Sequence, residues 1–166
     1  MPLVVAKLSK SLQDVFNSEP SNGIIAAQKL AQAYQDYANS AMAPPGKPIF
    51  TGAEVLALSG ALAGALSDPL TGSAAKIANG WMTGLNAFWL APPVPFVGGP
   101  ASGVSTVITG IGSVVPSLTA IFSNIKNTTA MAAQQIATVL DTVTKTVLVT
   151  YATPTTPSPP PPALLL

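Results

Sequence analysis

Asp14, Glu19, Asp36, Glu54, Asp68 and Asp141 are the six carboxylates of this chain, and they are the groups best suited to chemistry. Two carboxylates suffice for glycoside hydrolysis, and three or four hold a divalent metal. Here they are spread singly along the chain, and each has a structural role in sight. Thr51 stands three residues before Glu54 at the head of an apolar run, the pattern of a capping box in which hydroxyl and carboxylate satisfy orphan backbone donors. Asp68 precedes a proline at a helix end, Asp14 and Asp36 fall opposite apolar stripes, and Asp141 lies beside one. Ser9 and Ser11 flank Lys10, the residue types of Ser-Lys catalysis, but immediate neighbours on a helix do not face one another.

Nothing joins these groups, because the chain has no histidine, no cysteine and no arginine. The usual general base, the strongest nucleophile and the fork that grips phosphate are all missing. Gly110 and Gly112 form a GxG without the third glycine or the acidic residue of a dinucleotide site, and no GK[ST] phosphate loop occurs. Asn127-Thr128-Thr129 is a formal glycosylation sequon, meaningful only in a chain secreted by a eukaryote. The expectation is a protein that is not an enzyme, with no catalytic or metal site, no cofactor and no small-molecule substrate.

Charge narrows the partners. Charged residues make up 8% of the 166, with a net charge of +1, against about 25% in typical soluble domains. Seven lysines are scattered singly, so no basic stripe exists for nucleic acid. So neutral a surface has little electrostatic protection against self-association, which points to burial in a larger assembly. Residues 77–125 carry no charge, yet Asn79, Gly80, Thr83, Asn86 and a Pro/Gly-rich run interrupt them, so a membrane span of ~20 apolar residues is not expected. Lys7 and Lys10 sit inside the first apolar stretch, which therefore does not read as a signal peptide.

Helical periodicity dominates the chain. Apolar spacings of three and four predict helices over residues 3–17, 24–43, 53–67 and 73–90. Gly60 and Gly64 within the third have the GxxxG spacing, which marks a helix-dimerisation face in lipid and in a soluble protein more often just lets helices pack closely. Residues 94–112 are punctuated by Pro and Gly and are not helical, with room for a short strand at 104–108. A fifth helix places Pro116 in its first turn behind a cap at Ser113 or a neighbour and stripes Leu118, Ile121, Phe122 and Ile125. A sixth starts at Asn127 or Thr128 and lines up Ala132, Ile136, Val139, Leu140 and Val143. Residues 146–151 alternate β-branched side chains and read as a strand, an arm or one more helical turn.

The predicted fold is mainly α: a bundle of five or six short helices broken by Pro/Gly loops, with room for one short β element. It forms a single domain over residues 1–152, followed by an extended Pro-rich C-terminal arm over 153–166. Trp81, Phe88 and Trp89, with Phe96 across a proline corner, are the one aromatic concentration. They read either as a helix docked on the core or as interface anchors, where tryptophan is enriched. With Val147, Val149 and Tyr151 of the arm they form the candidate interface set.

The stretches TGLNAFWLAPPVPFVGG, SLTAIFSN and QQIATVLDTVTKTVLVTYATPTTP resemble small Ala- and Thr-rich structural proteins of tailed bacteriophages and related contractile particles, over roughly residues 77–151. The resemblance implies a non-enzymatic virion component of neck, tail or baseplate, assembled in the host cytoplasm, whose partners are itself and other virion structural proteins. The alternatives are a membrane-active, holin-like lysis protein and an enzyme with a carboxylate site, the last requiring at least two acids in one cleft.

Overall fold

The computed structural model describes residues 3–67, 73–98, 101–152 and 163–166. Among them the chain forms α1 (Val5–Asn17), α2 (Gly23–Ala38), β1 (Lys47–Pro48), α3 (Ala53–Leu66), α4 (Ala74–Leu90), β2 (Pro95–Gly98), β3 (Ala101–Ile108), α5 (Val114–Phe122), α6 (Thr129–Thr144), β4 (Val147–Ala152) and β5 (Ala163–Leu164). A short 3-10 turn, Ile111–Ser113, leads into α5. The expected helical bundle is thus corrected to a mixed fold, in which an antiparallel five-stranded sheet of order β1-β2-β3-β4-β5 accompanies the six helices. The expected short strand at 104–108 lies within β3, and the strand reading of 146–151 corresponds to β4. Strands β1, β2 and β5 escaped prediction because they are short and held by distant partners, and β3 is longer than expected, with a register shift between Ser105 and Val107 that breaks its alternation.

Successive helices pack on one another from α1 to α6, and α1 returns to α6. Side chains start three of them: Asn22, Ser73 and Thr128 accept the backbone N–H groups of Ile25, Lys76 and Met131. Helix α2 ends five residues earlier than its apolar pattern suggests. The Ser40 hydroxyl donates to Tyr37 O at 2.7 Å, and the chain turns away while keeping Ala41 and Ala43 buried. Helix α5 likewise stops at Phe122, so Ile125 is 97% exposed, and Ser113 donates to Gly110 O instead of capping the helix.

The close α3/α4 contact is made by glycines other than the predicted pair. A Cβ at Gly80 would stand 2.8 Å from Ala65 Cβ, and one at Gly84 2.5 Å from Leu58 Cδ1. Gly60 and Gly64 have nothing within 4 Å of a Cβ and face outward.

In the sheet, Phe96 opposes Gly103 and Gly103 opposes Tyr151, a large-small-large row on the inner face. The missing Gly103 side chain makes room for the Tyr151 ring, since a Cβ there would lie 2.7 Å from Tyr151 Cδ1. Beyond β5, Leu166 N–H donates to Met42 O at 2.8 Å and Met42 N–H donates to Leu166 O at 3.3 Å. Met42 leads into the Ala43/Gly46 turn that feeds β1. The sheet therefore curls until its last strand meets the segment that begins its first, over a core that includes Phe96, Val147, Val149, Tyr151 and Leu165.

Candidate functional site

Helices α2, α4 and α6 bring together a buried chain of polar side chains. Trp89 Nε1–H donates to Tyr34 Oη at 2.9 Å. Tyr34 and Thr144 share a hydrogen bond of 2.7 Å, and the Thr144 hydroxyl lies 2.6 Å from Leu140 O. Threonine has one hydroxyl proton, which goes to the Leu140 carbonyl, so Tyr34 is the donor to Thr144. The series runs in one direction and every member is satisfied. Burial pushes the Tyr34 hydroxyl pKa up to about 12, against smaller lowering effects of its bonds to Thr144 and Trp89.

One turn away, Tyr37 donates to Asp141 Oδ1 at 2.6 Å while Lys145 Nζ sits 2.9 Å from Asp141 Oδ2. Burial, followed by the bond to Asp141, raises the Tyr37 pKa well above its ordinary value. Both carboxylate oxygens are thereby occupied, which gives Asp141 a structural part between α2 and α6. Glu54, 1% exposed, is occupied in the same way: its Oε2 accepts Thr51 N–H and Gly52 N–H, each at 3.0 Å. The capping reading of Glu54 describes its role, with one change of geometry. Gly52, at φ +95°, is the cap residue, and the Thr51 hydroxyl oxygen accepts Ala53 N–H at 3.4 Å.

Of the remaining acids, Asp68 lies outside the described residues. Asp14 and Asp36 are both exposed and share the rim of a shallow depression of about 270 Å³ between α1 and α2, with Lys29 and Gln32. Asp36 Oδ1 accepts Gln32 Nε2–H at 2.9 Å, and Lys29 Nζ donates to Ser18 Oγ at 2.9 Å. No three acidic side chains come together to hold a metal among the described residues. Asn127, the sequon residue, donates its amide to Gln135 Oε1 at 3.0 Å and to Ile121 O at 3.3 Å, tying the α5/α6 turn.

The seven candidate interface residues, Trp81, Phe88, Trp89, Phe96, Val147, Val149 and Tyr151, are all buried within the chain. Phe88 meets Tyr34 edge-on at a centroid distance of 5.0 Å, and Trp89 stacks near Phe96 at 6.3 Å. The proline corner is clamped by Ser105, whose hydroxyl donates to Trp89 O and accepts Val94 N–H. Tyr151 is held at a second corner, where its hydroxyl donates to Ala43 O and accepts Gly46 N–H at 3.0 Å. These side chains pack on their own chain and are not displayed to a neighbour. What the chain displays is different: Leu56, 72% exposed, with Gly60 and Gly64 on the outer side of α3, and Val97, Val104, Val107 and Leu164 on the outer side of the sheet. The periodicity of α3 could not announce this face, because that helix is apolar on every side.

No helix among the described residues is long and apolar enough to cross a membrane. No protein-family model matches the chain, and neither does any curated protein or solved structure.

Proposed function

We propose that this chain is a non-enzymatic structural subunit that assembles through uncharged surfaces. The observation that carries the reading is α3. It buries Leu58, Leu62 and Ala65 on one side and presents Leu56, Gly60 and Gly64 on the other. Its single charged residue, Glu54, is buried in the cap. A helix apolar on all sides is normally covered on all sides. The scarcity of charge elsewhere adds no repulsion between copies. Glu54 and Asp141, the two carboxylates buried among the described residues, are committed to structural hydrogen bonds, which supports the non-enzymatic reading. Under the resemblance to tailed-phage structural proteins, the assembly is a repeated ring or lattice of the neck, tail or baseplate.

Sedimentation velocity of the purified chain over a hundredfold range of concentration tests the assembly. Growth of the sedimentation coefficient with concentration, reduced by Leu56→Glu at unchanged melting temperature, is the expected result. A monomer throughout that range overturns it. The virion assignment is tested by mass spectrometry of purified phage particles, in which the chain should appear in stoichiometric amounts.

A further inference from the structure

We propose that two copies of this chain pair about a two-fold axis at the α5/α6 turn, where Ile125 of each copy enters a hollow between α1 and α6 of the other. The proposal rests on the structural-subunit reading and adds to it a contact separate from the outer side of α3.

Ile125, 97% exposed, is the most exposed large apolar side chain of the described residues. The turn that carries it is held from several sides. Asn127 N–H donates to Asn124 O and Lys126 N–H donates to Asn124 Oδ1, each at 3.1 Å. The Asn124 amide donates to Asn127 Oδ1 at 3.3 Å, and the Asn127 amide is itself fixed on Ile121 and Gln135. Turn positions are ordinarily polar because polar side chains make bonds of this kind. An isoleucine at the tip of so constrained a turn has little backbone freedom left to lose on binding, which suits it as an anchor.

The hollow lies beside the turn. Phe16 at the end of α1, Phe122 at the end of α5, and Ala132 and Ile136 of α6 form its apolar floor, and Asn127 and Thr129 belong to its polar rim. Its volume of about 270 Å³ leaves room for an isoleucine side chain. Met131, 49% exposed, extends the apolar patch along α6. An apolar centre within a polar rim is the anatomy of a protein contact.

Two observations make the occupant a second copy. Projection and hollow share one surface, since Asn127 lines the hollow two residues after Ile125. One two-fold rotation therefore seats both projections at once and buries two isoleucines. Charge matches as well. Lys126 adjoins the projection, while Glu19 follows Phe16 by three residues and so stays within about 11 Å of the hollow's edge at 3.8 Å per Cα step. Both are exposed, and neither has an ion-pair partner among the described residues. In the two-fold pair each Lys126 approaches Glu19 of the other copy, and opposite charges at a rim fix the register of a contact.

Sedimentation equilibrium of the unaltered chain and of the variants Ile125→Ser, Lys126→Glu and Glu19→Lys tests the pairing. All three positions are exposed, so each diluted variant should keep its melting temperature. Self-association should weaken about tenfold or more in Ile125→Ser, because each copy loses a buried apolar side chain. It should also weaken in Lys126→Glu and in Glu19→Lys, whose own pairs bring like charges together. An equimolar mixture of those two variants restores opposite charges at both rims and should associate as the unaltered chain does. If Ile125→Ser associates as tightly as the unaltered chain while Leu56→Glu does not, copies join through α3 alone: the proposal is overturned and the structural subunit stands. If Ile125→Ser weakens but the mixture stays apart, the projection meets a different surface and the two-fold pairing is overturned. An unaltered chain that is monomeric throughout removes both readings.

Discussion

Tyr34 and Thr144, 110 positions apart, meet through a buried hydrogen bond of 2.7 Å that joins α2 to α6. Because Trp89 donates to the same tyrosine oxygen, this one hydroxyl also holds α4. Tyr34→Phe keeps the ring and leaves Trp89 Nε1–H without its acceptor. An abandoned buried donor costs about 1–3 kcal/mol, and each kcal/mol lowers Tm by about 2–4 °C in a domain of this size. Calorimetry should therefore show a fall of several degrees. The double variant Tyr34→Phe/Trp89→Phe should lose less than the sum of the two single variants, since the residues share one bond.

Alkali should unfold the chain through the same cluster. The Tyr34 pKa is pushed up to about 12 from its ordinary value of 10, and that of Tyr37 is raised as well. The folded state holds these protons more tightly than the unfolded state. The contribution of Tyr34 is complete below pH 10 and is lost as pH rises from 10 through 12, and that of Tyr37 is likewise lost as pH rises above 10. At about 1.36 kcal/mol per unit, Tyr34 alone accounts for roughly 2–3 kcal/mol. Urea unfolding at pH 9 and pH 11.5 should differ by at least that order, and tyrosinate absorbance should appear together with loss of structure.

Two glycine pairs should respond in opposite directions to alanine. Gly80→Ala drives a Cβ toward Ala65 Cβ, and overpacking of this kind costs about 1–3 kcal/mol. Gly60→Ala meets nothing within 4 Å and should stabilise the monomer by roughly 0.5–1 kcal/mol through better helix propensity. Denaturant midpoints of the two variants at low protein concentration check the sign of each.

Loss of the Glu54 carboxylate should unravel the start of α3. It accepts the backbone N–H groups of Thr51 and Gly52, and removing a cap of this kind costs about 0.5–2 kcal/mol. Glu54→Ala should lower the denaturant midpoint accordingly, while Asp14→Ala, on an exposed face, should leave it within experimental scatter.

The helices were legible because their information is local. Asn22, Ser73 and Thr128 sit where caps belong, and Leu8, Leu12, Leu58 and Leu62 recur at helical spacing. Of the sheet, only parts of β3 and β4 were legible, as a short strand at 104–108 and one reading of 146–151, because the rest of its information is distributed. Gly103 looks like a loop residue until Tyr151 is placed opposite it, and Lys47–Pro48 is a strand only beside Phe96 and Val97. The aromatic corner was visible as a concentration, but its burial depends on Ser105, which gave no sign of clamping Trp89 and Val94. Tyr34 falls within the helix predicted over residues 24–43, yet its link to Thr144 needed α6 to return beside α2. The GxxxG spacing at Gly60 and Gly64 was real, and its assignment failed because a helix apolar on all sides does not reveal which side meets a neighbour.

Met42 and Leu166 bond each other reciprocally through their backbones, so one opening event exposes both amides to solvent deuterium. The two protons should exchange with a single rate, slower than neighbouring loop amides and faster than the Tyr34 amide in mid-α2. That rate measures how often the ring of strands comes apart while the helices remain folded. The small bond at the seam is thus a clock for the whole edge, readable one amide at a time.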